Sequence, residues 1–179
     1  MRGPKWSDTA LSLGGMESEA QMVHFLDQSD AWTQDMIDRF GWALQYVFNG
    51  EDEHVAPFCY TIGLHELGQP ELLVFGLDQG TSAKILNTVG ARIRDGARLR
   101  DGDVLTLDGE SPLRVTARTV PNPGEILFSA NRHYHRPDED SVPAMQLVWP
   151  DAHGRFPWDT GYELPAWYQP PPGSFRAGY

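Results

Sequence analysis

Residues 57–77, PFCYTIGLHELGQPELLVFGL, decide how the chain is read. Phe58, Tyr60, Ile62 and Leu64 alternate with Cys59, Thr61 and Gly63. That period of two puts a bulky face and a small face on opposite sides of one strand. Residues 72–77 form a continuous apolar run, which predicts a strand covered on both faces. Between the two, His65-Glu66-Leu67-Gly68-Gln69-Pro70 is polar and turn-forming, so the stretch is expected to be a hairpin at the centre of a sheet. Gly63 lets a neighbouring element or a ligand approach the backbone closely, and close packing is the expected use.

Upstream, residues 1–25 are rich in small and polar residues without sustained period and are expected to be a flexible leader. Ser29 or Asp30 suits the N-cap of a helix through Phe40, with Trp32, Met36, Ile37 and Phe40 forming one apolar face. Gly41 then ends the helix, and the aromatic and β-branched residues 42–48 read as a first strand. Downstream, residues 78–82 supply caps for a helix beginning near Thr81 or Ser82, with Ile85, Leu86, Val89 and Ile93 as its buried stripe and Gly96 as its end. Residues 104–107 and 113–120 predict a hairpin, residues 125–129 a resumed strand, and residues 144–149 a last strand. After Pro150 the chain is turn-rich and aromatic and is expected to dock as an ordered coil.

This order of elements lacks regular βαβ alternation, so the fold class is α+β. The expectation is a single domain over residues 26–170, with a mostly antiparallel sheet, two main helices and an aromatic, proline-rich coil tail. Residues 171–179 are expected to be flexible.

With 179 residues, 40% of them hydrophobic, the chain can bury one substantial core. A formal charge of −11 with no compensating basic block disfavours nucleic acid and anionic membrane surfaces as partners. The single cysteine, Cys59, excludes an intramolecular disulfide and a Cys-rich zinc cage. No apolar run reaches the roughly 20 residues of a membrane span, and the N-terminus carries no secretory signal, so a cytoplasmic location is expected.

Tyr60-Thr61-Ile62-Gly63-Leu64, the strand from Pro70-Glu71-Leu72 into Phe75-Gly76-Leu77, and Trp149-Pro150-Asp151 followed by Phe156-Pro157-Trp158 together resemble an uncharacterised bacterial family, domain of unknown function 4262. The resemblance runs over roughly residues 40–162. It implies that the first 25 or so residues lie outside the common domain, and it carries no activity or catalytic residue with it.

Several constellations could carry chemistry. His65 beside Glu66 offers an imidazole and a carboxylate for proton transfer near neutral pH, against the alternative of a plain polar turn. His133 and His135 would share a face of an extended segment, with Glu139 four residues on, half of a cupin-like divalent-metal pattern. The flanking cupin glycines and a second half are absent, and the segment also reads as a solvated loop. Cys59 on the small face reads as an inert core thiol. No other cofactor is predicted: a flavin is disfavoured by the acidity, and the glycines of residues 76–80 lack a phosphate-loop lysine. Tyr60, Gly63, Trp149, Asp151 and Trp158 are the candidate ligand-binding residues, with the tail aromatics either plugging the core or forming a recognition surface.

The expected function is a small-molecule- or protein-binding accessory module, with its pocket between the hairpin of residues 57–77 and the aromatic tail. The alternative is a small enzyme using His65 and Glu66 as acid and base, or a metal site of His133, His135 and Glu139. An unpaired strand edge would also suit a homodimer.

Overall fold

A computed structural model describes residues 8–48, 54–108, 112–137 and 140–175, with side chains from residue 18 onward. Its elements are α1 (Asp8–Phe40), β1 (Ala43–Val47), β2 (Phe58–Ile62), β3 (Glu71–Phe75), α2 (Gln79–Arg94), β4 (Val104–Leu107), β5 (Leu113–Thr119), α3 (Phe128–His133) and β6 (Ala144–Val148). Single 3-10 turns occur at Leu64–Leu67 and Pro123–Glu125.

The six strands form one sheet in the order β1-β2-β3-β6-β5-β4. β2 and β3 are the predicted hairpin, and β3 lies at the centre with every residue buried. The continuous apolar run follows from that position, because α2 covers one face while other elements cover the second. The sheet is α+β but mixed, not simply antiparallel. β6 returns between β3 and β5 and runs parallel to β3, pairing Leu72 with Met145. Parallel neighbours need a long crossover, and here it contains α2, the β4–β5 hairpin and α3. Local periodicity reads strands but not the direction in which a distant one returns.

Two apolar layers result. On one side Ile85, Leu86, Val89 and Ile93 of α2 meet Cys59, Leu72, Val74, Val115, Ala117 and Leu147. On the other, Ile37, Leu127, Ala130, Val142 and Phe175 gather with Phe58, Tyr60, Ile62, Leu73 and Phe75. Burying each such side chain is worth about 1.5–3 kcal/mol before chain entropy is subtracted. α2 starts at Gln79, earlier than expected, because Asp78 caps it by accepting from the Thr81 amide at 2.9 Å.

The structure departs from four expectations. Helical backbone runs from Asp8, through most of the stretch read as a leader. The apolar face of α1 is also narrower than predicted, with Ile37 buried but Trp32 49% and Phe40 59% exposed. Residues 125–129 form a turn and the start of α3 instead of a strand: Pro123 opens the turn, and Leu127 and Ala130, three apart, seat α3 on the core. Finally, Phe175 is fully buried and its carbonyl accepts from Asn122 Nδ2 at 2.8 Å, so the docked tail extends to residue 175. The remainder of the expected flexible end, residues 176–179, lies outside the described residues.

Candidate functional site

The 3-10 turn after β2 is shaped by two constraints. Gly63 has φ +135°, and a Cβ there would lie 2.7 Å from the Gly41 carbonyl oxygen and 2.8 Å from Trp42 Cα. Only glycine satisfies both, which answers the open question at this position in favour of packing. The second constraint is Glu71, the first residue of β3, whose side chain is wholly buried. Its Oε1 accepts from the amides of Gly63 (2.9 Å) and His65 (3.1 Å) and from the Tyr134 hydroxyl (3.2 Å). Oε2 accepts from the Thr61 hydroxyl (2.6 Å) and the Leu64 amide (3.3 Å). Thr61 in turn accepts from the Leu72 amide at 2.8 Å.

Burial raises the Glu71 carboxyl above its ordinary value, while the hydrogen bonds from Thr61 and from the Gly63, His65 and Leu64 amides pull it down without prevailing. One carboxyl therefore staples a turn, a strand and the end of α3 together.

Above this anchor four side chains from two segments meet. The His65 ring lies edge-on to Tyr134 at 5.0 Å, and the His133 ring meets Tyr134 at 4.8 Å. His133 Nε2 is 3.6 Å from Glu66 Oε1, with the His133 side chain 11% and that of Glu66 49% exposed. Burial, and then the Glu71 and Glu66 carboxyls, push the Tyr134 phenol far above its ordinary value, so it stays protonated and donates. The half-buried His65 ring makes no hydrogen bond among the described residues. An uncommitted imidazole, a locked phenol and an imidazole–carboxylate pair supply the parts of general acid–base chemistry.

The residues proposed from sequence thus separate into groups. His65 and Glu66 are joined by His133, which had been placed in a metal set. His133 ends α3 and His135 follows in a left-handed turn (φ 52°), so the extended segment that would align their imidazoles is not formed. Glu139 lies outside the described residues. Among those described, no three His, Cys, Asp or Glu side chains are grouped to hold a metal ion. Tyr60 is a core residue whose hydroxyl accepts from the Ser129 amide at 3.2 Å. Burial pushes the Cys59 thiol up to about 12 and leaves it inert.

The aromatic tail docks at the other end of β3. Trp149 Nε1 donates to the Phe75 carbonyl at 2.9 Å, while the His65 turn precedes Glu71. The length of β3 separates the two ends, by about 13 Å from Glu71 to Phe75 at the rise of an extended strand. Asp151 organises the tail by accepting from the amides of His153 (2.8 Å), Arg155 (3.0 Å) and Glu163 (3.2 Å). Burial raises its carboxyl, but those amides and the Arg155 guanidinium outweigh it and hold it below its ordinary value. Trp158 is 52% exposed and stacks on Phe156 with centroids 5.2 Å apart.

Sequence reading missed Glu71, Thr61 and Tyr134. The available signal was the lone carboxylate heading an otherwise apolar central strand, since an acid there must find donors.

The chain belongs to the family described as domain of unknown function DUF4262, whose model matches residues 36–163. No curated protein and no solved structure matches the chain.

Proposed function

We propose that the protein is a small enzyme performing proton transfer on a small neutral or cationic polar substrate at the His65–Tyr134–His133–Glu66 cluster. The observation that carries this reading is the uncommitted His65 imidazole set against a phenol held by a buried carboxyl. His65 acts as general base, Tyr134, whose single proton is given to Glu71, holds the His65 ring edge-on for that task, and His133 with Glu66 supplies a proton in return. Glu71 is a positioning residue beneath them. Two nearby carboxyls and a formal charge of −11 select against polyanionic substrates. The test is turnover across a panel of small esters, amides and carbonyl compounds by the native protein and by His65→Gln and Tyr134→Phe. The reading requires an activity that falls at least a hundredfold in His65→Gln while the variant's fold and stability are unchanged. An activity equal in both variants and the native protein would refute it.

A second reading, a binding or accessory module for a small molecule or a protein, draws its support from an apolar pocket beside Trp158. Homodimer formation through the edge strands β1 or β4 is compatible with either reading. No helix among the described residues is long and apolar enough to cross a membrane.

A further inference from the structure

Gln146 sits in β6 between two paired strands and is 1% exposed. Its Nε2 donates to the Pro170 carbonyl at 3.0 Å, but its Oε1 is buried with no partner. Turning the amide over does not cure this, because it would orphan the nitrogen and leave the Pro170 carbonyl unpaired. An unmet buried acceptor costs about 1–3 kcal/mol, so its persistence needs a reason. Beside it lies a pocket of about 150 Å³ lined by Gln146, Val148, Pro157, Trp158, Gln169 and Pro170. Gln169 is fully committed: Nε2 donates to the Trp149 carbonyl and the Tyr162 hydroxyl, and Oε1 accepts from the Trp149 amide. Gln146 Oε1 is therefore an unmet buried acceptor in a largely apolar wall.

We infer that this pocket binds a small planar aromatic molecule carrying one N–H or O–H donor, a phenol or an indole, with the donor on Gln146 Oε1 and the ring against Trp158. The volume equals that of an engineered cavity that accepts a single benzene ring. Trp158 is held in place between Phe156, to which it lies parallel (8°), and the Arg118 guanidinium at 5.4 Å, so a ligand ring meets its edge. The pocket lining carries no charged side chain, and a ligand bringing only acceptors or an ionised group leaves Gln146 Oε1 unmet. The inference rests on the binding-module reading and is independent of the acid–base site.

The test titrates phenol, indole and toluene into the full chain, followed by Trp fluorescence and by the Gln146 side-chain amide resonances. Phenol and indole are expected to saturate and to shift the Gln146 amide, with toluene at least about tenfold weaker because it lacks the donor. Gln146→Met, similar in volume, should lower phenol affinity to that of toluene. Trp158→Ala, at a half-exposed position that leaves the core untouched, should weaken both ligands and keeps the test valid if Gln146→Met fails to fold. Equal binding of phenol and toluene to the native chain overturns the assigned ligand chemistry alone. Unchanged phenol binding by Trp158→Ala overturns the assigned pocket. Absence of saturable binding by all three probes removes both this inference and the small-molecule form of the binding reading.

Discussion

Glu71→Gln isolates what the buried carboxyl contributes without changing its shape. With the amide oxygen at the Oε1 position, the bonds from Gly63, His65 and Tyr134 survive. The amide nitrogen then replaces Oε2, where Thr61 and Leu64 donate. Thr61 can turn its hydroxyl and accept, but the Leu64 N–H cannot, and one buried donor is left facing another. That conflict costs about 1–3 kcal/mol. With a urea slope of about 1–3 kcal/mol per M, the unfolding midpoint should fall by roughly 1 M. The loss also depends on pH. Burial holds the folded carboxyl above its unfolded value of 4.5, so the folded state binds the proton more tightly. Native stability therefore declines as pH rises through the window above 4.5, and this contribution is absent in Glu71→Gln. The gap between the two proteins should be widest below pH 4.5 and narrow towards neutrality. Urea titrations at several pH values measure it. A gap that widens as pH rises would refute the reasoning, since it would mean that the five donors favour the ionised carboxylate in the fold.

Gly63→Ala should destabilise by about 2–6 kcal/mol, combining a positive φ with a methyl pressed into the Gly41–Trp42 backbone, and thermal unfolding will show it. Phe175→Ala should cost about 3–5 kcal/mol in a urea titration, because its ring is fully buried against Phe75 at 5.4 Å. Cys59 should resist a thiol reagent at pH 8 in the folded protein and label fully in denaturant, since the folded thiol lies near 12 and is buried.

The hairpin, the α2 stripe and the β4–β5 pair were legible because each is a local periodic pattern ended by turn residues. The parallel β3–β6 pairing was not, because register across seventy residues is decided by which apolar faces pack and not by any local signal. The same reason governs the site. His65 and Glu66 are neighbours in sequence, whereas His133 reaches Glu66 only because α3 packs against β2. His133 and His135 drew attention as a spaced pair, and Tyr134 between them was passed over. In the helical turn that forms, it is Tyr134 that contacts both His65 and the buried Glu71. The tail aromatics were recognised, but the hydrogen bond from Trp149 to Phe75 anchors them at the far end of β3 from the His65 loop.

The proposed function requires His65, His133 and Tyr134 to form one ligand-facing site. Histidine-ring NMR spectra of the native protein, recorded while mixtures of small polar metabolites are added, test it most directly. Compounds that bind there should shift the His65 and His133 ring resonances together, with the effect lost in Tyr134→Phe. Shifts confined to His24, His54 or His153 would contradict it.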